Sequence, residues 1–101
     1  MQSSKMDICQ KYVVTGRVQG VFYRQSTQQK ATELALVGWV QNLSNGDVVV
    51  YVKGQADILS QFENWLKVGP PAAKVAELFS AELTQEERVQ LNLVNNFRVV
   101  R

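Results

Sequence analysis

The dipeptide Asn45-Gly46 constrains this chain most. It stands between two short runs that read as strands, Gly38-Trp39-Val40-Gln41-Asn42-Leu43 and Asp47-Val48-Val49-Val50-Tyr51-Val52-Lys53. β-Branched and aromatic residues favour extended backbone, and Asn-Gly supplies the positive φ angles that a tight hairpin asks for. An antiparallel hairpin therefore sits at the middle of the chain, closed by Gly54.

The flanking segments fall into a repeated order. Residues 8–15 read as a first strand that ends at Gly16, and residues 16–22 form a loop with two glycines. From Tyr23 to about Leu36 the composition turns helical, with Tyr23, Thr27, Ala31 and Leu34 able to share a face and Gly38 as the stop. A second helix is expected from Gln55 to Val68. Its Ile58, Leu59, Phe62, Trp65 and Leu66 make one apolar stripe, ended by Gly69-Pro70-Pro71. Residues 74–83 have a mixed period that fits a fourth strand or a helix, and Thr84-Gln85-Glu86-Glu87 has capping-box spacing, which points to a short helical turn. Residues 97–101 read as a last strand.

The order is β-α-β-β-α-β with a short extra strand. Two helices cannot cover both faces of a sheet of four to five strands, so they are expected together on one face. The expected fold is an α+β, ferredoxin-like split βαβ sandwich with an antiparallel sheet. One domain over residues 9–101, after a short N-terminal extension at 1–8, suits a chain of 101 residues that is 46% apolar and 20% charged. Trp39, Phe62 and Trp65 are expected in the core, Cys9 as a small buried apolar residue, and Tyr12 and Tyr51 flanking the sheet surface.

What the chain lacks narrows its chemistry. It contains no histidine, which removes Ser-His-Asp and Cys-His catalysis and His-ligated zinc. Its one cysteine, Cys9, can form neither an intrachain disulfide nor a cysteine-based zinc site. The first residues carry no apolar signal-peptide core, and no apolar run approaches the ~20 residues of a membrane span, so a soluble, cytoplasmic protein is expected. Eleven basic residues against nine acidic ones are too mild an excess to argue nucleic-acid binding. The acidic residues avoid one stretch, however. Between Asp7 and Glu33 there is none, while Lys11, Arg17, Arg24 and Lys30 all fall there.

The 16–22 loop lies in that stretch, between a strand and a helix N-terminus. Glycines let backbone N–H groups turn toward one point, and the first N–H groups of a helix have no intrahelical partner and carry partial positive charge. Arg24, in the first helical turn, opposes the helix dipole, a placement that makes sense if an outside anion completes the site. Arginine suits phosphate because its fork grips two oxygens. From spacing alone, an anion site and a plain structural turn remain equally open.

The residues themselves go further. Thr15-Gly-Arg-Val-Gln-Gly-Val-Phe-Tyr-Arg24 resembles the signature loop of the acylphosphatases, and Leu36-Val-Gly-Trp-Val-Gln-Asn42-Leu-Ser-Asn-Gly46 resembles their second motif. Gly69-Pro-Pro-Ala-Ala-Lys-Val75 and Phe97-Arg-Val-Val-Arg101 are similar to the family's later segments. The resemblance implies a ferredoxin-like enzyme that hydrolyses the bond between phosphate and carboxylate in acyl phosphates. It implies Arg24 as phosphate-binding arginine and Asn42 as the asparagine that orients the attacking water. It also implies a backbone cradle formed by Arg17, Val18, Gln19, Gly20, Val21, Phe22 and Tyr23. Gln41 departs from the pattern, since many relatives carry a basic residue there, and Cys9 lacks the partner that some bacterial relatives have.

Such a site needs little. The leaving carboxylate is a weak base, and phosphoryl transfer is mostly positioning and charge stabilisation. No metal, cofactor, histidine or nucleophilic cysteine is expected, and the partner is a small-molecule substrate of a monomeric enzyme. The competing reading is a non-catalytic anion- or RNA-binding module of the same fold. It needs paired exposed aromatics on the central strands, where this chain offers Trp39 and Tyr51.

Overall fold

The hairpin forms as expected, around one left-handed residue rather than two. In the computed structural model, which describes residues 7–100, β2 (Val37–Asn42) and β3 (Val48–Gly54) pair antiparallel. Of the turn residues only Gly46 takes a positive φ, +100°. Its N–H donates to the Leu43 carbonyl at 3.2 Å, and the Leu43 N–H donates to the Asp47 carbonyl at 2.8 Å. This is a three-residue loop closed by a left-handed glycine. Asn45 contributes its side chain, whose Oδ1 accepts from the Asp47 N–H at 3.0 Å.

β1 (Ile8–Arg17) pairs antiparallel with β3 on one side and with β4 (Lys74–Ala81) on the other, which settles 74–81 as strand. The sheet order is β4-β1-β3-β2-β5, so β3 lies between β1 and β2, and β1 between β3 and β4. These are the two split βαβ units, and the expected ferredoxin-like α+β sandwich is present. The sheet is nevertheless mixed rather than wholly antiparallel. β5 (Phe97–Val100) runs parallel to β2. β4 runs opposite to β2, and a single reversal of the chain after it delivers β5 to the β2 edge in the direction of β2.

The helices number three, not two, among the described residues. α1 (Tyr23–Glu33) and α2 (Ala56–Leu66) pack on the face that carries Tyr12, Val14, Val40, Val48, Val50 and Val52, burying Tyr23, Ala31, Leu59, Phe62 and Leu66 against them. The α2 stripe thus matches its reading from the sequence. α3 (Gln85–Leu93) is the addition. It starts at the capping box, with the Glu87 N–H donating to Thr84 Oγ1 at 3.1 Å and the Thr84 N–H to Glu87 Oε1 at 2.9 Å. It continues well beyond a single turn because it covers the second face of the sheet. There Tyr51 Oη and Lys11 Nζ donate to Glu87 Oε2 at 2.8 and 3.2 Å, Lys53 Nζ donates to Asn92 Oδ1 at 3.3 Å, and Leu91 is fully buried. Trp39 belongs to this face, stacked on its cross-strand partner Tyr51 at 4.6 Å, and not to the helix-side core.

Several expectations about single residues are corrected. Tyr12 does not flank the surface. It is buried, its hydroxyl donating to Glu63 at 3.1 Å. Cys9 is half-buried rather than enclosed, as are Trp39 and Trp65. Gly38 does not stop α1. The helix ends at Glu33 and is closed by Ala35, left-handed at φ +58°, with the Leu36 N–H donating to the Ala31 carbonyl and the Ala35 N–H to the Thr32 carbonyl. That is a Schellman closure built on alanine. Gly38 instead lies within β2, where a Cβ would meet the Tyr51 carbonyl oxygen. β1 begins at Ile8, as read from the sequence, and runs on past Gly16 to Arg17; Met1–Met6 and Arg101 lie outside the described residues.

Two outcomes follow from the closures of α1 and α3. A left-handed residue other than glycine costs about 1–2 kcal/mol, so Ala35→Gly should raise stability by up to about 1 kcal/mol in urea denaturation. At α3, the Glu87 carboxyl is held below the usual glutamate range, first by the Thr84 N–H and then by Tyr51 and Lys11. A group depressed in the folded state stabilises the fold above its unfolded pKa, and that gain is lost as pH falls through the folded value. Glu87→Gln should therefore lower Tm at pH 7, and the gap to the parent should shrink as the scan is repeated toward acid.

Candidate active site

The loop between β1 and α1 is held by its apolar side chains, which frees its backbone. Val18 and Val21 are buried, as is Tyr23, whose hydroxyl donates to the Leu66 carbonyl at 2.7 Å. Burial pushes that phenol far above its ordinary range, so it serves as an anchor and not as an acid. Between these anchors Gly20 takes φ +74° and Phe22, the N-cap residue of α1, takes φ +62°. Phe22 offers no side-chain cap, and the first turn of α1 holds no acidic residue. Among the described residues no acceptor meets the backbone N–H groups of residues 18–25. A row of unpaired donors at a helix start is a site for an anion.

Two side chains complete it. Arg24 projects from the first turn of α1, its Nη1 donating to the Val100 carbonyl at 3.1 Å. One turn further on, Gln28 Nε2 donates to the Phe97 carbonyl at 3.1 Å, so α1 is fastened to β5 at two points. Asn42 ends β2, and its Oδ1 is buried without a hydrogen-bond partner among the described residues. Arg24 and Asn42 line one cavity of about 310 Å³ together with Val18, Gly20, Phe22, Tyr23, Gln25 and Val99. No carboxylate of the described residues lines it.

Of the residues expected at the site, the structure brings Arg24, Asn42, Val18, Gly20, Phe22 and Tyr23 to the cavity wall. Arg17, Gln19 and Val21 do not line it. Arg17 is exposed at the end of β1 opposite Lys74, and Val21 points into the core. Gln19 turns sideways to the hairpin, its Nε2 donating to the Leu43 and Asp47 carbonyls, each at 2.8 Å. Two lining residues are not foreseen from the sequence. Gln25 adjoins Arg24, and that adjacency is the signal that could have found it. Val99 arrives only through the parallel pairing of β5 with Val40, for which no local signal exists.

The arrangement can hold a tetrahedral oxyanion against backbone N–H groups and a guanidinium, with a carboxamide beside it. A ferredoxin-like sandwich that carries such a pocket at the junction of β1 and α1 has the geometry to bind a phosphate-like anion. The acylphosphatase family profile matches residues 10–99. An acylphosphatase of Coxiella burnetii is 43% identical over 86 residues, spanning 85% of this chain and 90% of that protein. Solved structures agree. An acylphosphatase from Coxiella burnetii superposes with a TM-score of 0.81 at 39% identity, covering 93% of both chains. The acylphosphatase from Bacillus subtilis does so with a TM-score of 0.82 at 31% identity, covering 95% of this chain and all of that one (100%). The chain belongs to the acylphosphatase family, and as a member it is a hydrolase of acyl phosphates.

Phe22 is 73% exposed, so its side chain gives little in return for its left-handed backbone. Phe22→Gly should raise the urea midpoint, by up to about 1 kcal/mol in stability, and Phe22→Ile should lower it by a similar amount, because β-branching adds crowding at positive φ.

Proposed function

We propose that this cavity is where hydrolysis takes place. The substrate's phosphate lies against the backbone of residues 17–23 and the Arg24 guanidinium, and Asn42 orients the attacking water. The observation that carries the reading is the Asn42 Oδ1, a buried acceptor without a partner, in the cavity that Arg24 shares. An unsatisfied buried acceptor costs about 1–3 kcal/mol, a cost that a bound water removes.

In this reading the cradle N–H groups and Arg24 bind the non-bridging phosphate oxygens and match the charge of the transition state. Asn42 accepts a hydrogen bond from the water and holds its oxygen in line with the bond to the acyl oxygen. As the water oxygen bonds to phosphorus, the phosphorus–acyl oxygen bond breaks and its electron pair leaves on the carboxylate. Carboxylates are weak bases, with pKa near about 4, so the leaving group needs no general acid. The water's proton passes to a phosphate oxygen of the substrate. Neither a metal nor a cofactor has a step in this scheme.

In the same reading, residues 9–101 are taken as the single catalytic domain, monomeric and cytoplasmic, acting on a small molecule. Nucleic acid is not a partner in it, because α3 lies over the sheet face that base stacking would use, and Trp39 and Tyr51 are stacked on each other there. Among the described residues no helix is long and apolar enough to cross a membrane.

Kinetics with benzoyl phosphate test the assignment. Arg24→Ala should lower kcat/KM by about 10²–10³-fold and weaken inhibition by inorganic phosphate. Asn42→Ala should lower kcat by about 10²-fold while the phosphate inhibition constant stays within ~3-fold. Activity of the parent should survive excess EDTA. Parental rates in both variants would overturn the roles of Arg24 and Asn42.

A further inference from the structure

We propose that Gln19 is a positioning residue for the reaction: its amide locks the phosphate cradle to the β2–β3 turn and so sets where Asn42 stands relative to the bound phosphate. This rests on the proposed roles of the cradle and of Asn42 in hydrolysis.

The geometry is specific. Gln19 lies at the middle of the cradle, between the buried Val18 and the left-handed Gly20. Its Nε2 donates at 2.8 Å to the Leu43 carbonyl and at 2.8 Å to the Asp47 carbonyl. Leu43 directly follows Asn42, and the Asp47 carbonyl already accepts the Leu43 N–H at 2.8 Å. The amide therefore grips the two residues that close the hairpin, one residue away from the asparagine. Among the described residues no backbone hydrogen bond joins residues 18–22 to the 42–47 segment, so the two Gln19 bonds are the polar links between them. The apolar contacts of Val18 and Val21 hold the loop down, but such contacts have no direction. Hydrogen bonds do, and lateral register between cradle and hairpin falls to Gln19.

Gln19 does not touch the substrate in this scheme. Its side chain is outside the cavity wall, and its amide N–H groups are committed to protein carbonyls. It acts through distance. The bound phosphorus is placed by the loop and the water by Asn42, and displacement of one against the other by about 1 Å costs on the order of 10²-fold in rate. A loss at Gln19 should therefore appear in kcat and should depend on Asn42 being there.

The test is a double-mutant cycle measured with benzoyl phosphate, with inorganic phosphate as inhibitor. The parent, Gln19→Leu, Asn42→Ala and the double variant are compared, each checked by circular dichroism and Tm. Gln19→Leu should lower kcat by about 10–100-fold and change the phosphate inhibition constant by less than ~3-fold. In the Asn42→Ala background the same change should alter kcat by less than ~2-fold. An equal loss in both backgrounds, or parental kcat in Gln19→Leu, overturns the proposal. Parental kcat in Asn42→Ala alone would instead remove the role of Asn42, so the two failures are distinct. Gln19→Glu is the second variant, for use if the leucine variant does not fold. A carboxylate facing two carbonyls cannot donate, while its protonated form donates once. Its deficit in kcat relative to the parent should shrink as pH is lowered through that titration, and a deficit independent of pH would count against the proposal.

Discussion

The burial of Val18 and Val21 is the constraint on which the site depends. A phosphate cradle must keep its N–H groups unpaired, so it cannot be stabilised by the hydrogen bonds that stabilise other backbone. This loop is fixed through its side chains instead. Two valines and Tyr23 sink into the core, and the backbone between them is left facing the cavity. Burying a valine is worth about 1.5–3 kcal/mol, so the two valines and Tyr23 together offset much of the entropy lost in ordering the loop. The left-handed Phe22 backbone belongs to the same arrangement, since strain of this kind persists where surrounding packing determines it.

The sheet carries that packing to the cavity. The β3 valines face α1 and α2 through Val48, Val50 and Val52, and this layer supports both the helix that presents Arg24 and the strand end that presents Asn42. The other layer has a different task. α3 uses Glu87 to gather Tyr51, Lys11 and its own N-cap, and Leu91 closes that face. One side of the sheet thus supports the cavity while α3 covers part of the other, over Tyr51, where related folds stack bases.

Much of this is written in the local sequence. The Asn45-Gly46 turn, the α2 stripe and the Gly-rich loop before Tyr23 are short-range signals that lead to the sandwich and to Arg24 beside a candidate anion loop, while Asn42 is reached only through the resemblance of its motif to the acylphosphatases. What stays hidden is set by distant contacts. β5 pairs parallel to β2, which no residue of Phe97–Val100 announces. α3 reads as no more than a turn because its apolar content is slight, and its length follows from covering the second sheet face. Ala35 hides the end of α1, because the Schellman position usually carries glycine and Gly38 offers itself nearby. Gln19 looks like an exposed loop residue until the hairpin is folded beneath it.

The bond from Arg24 to the Val100 carbonyl ties the site to a residue 76 positions downstream. A contact that spans so much chain closes a long loop, at an entropic cost that rises with loop length. Val100 closes β5, so the arginine meets this acceptor only when the final strand is paired with β2. The guanidinium is therefore aimed only once the final strand has docked, so the side chain proposed to bind phosphate takes its place together with the last element of the fold.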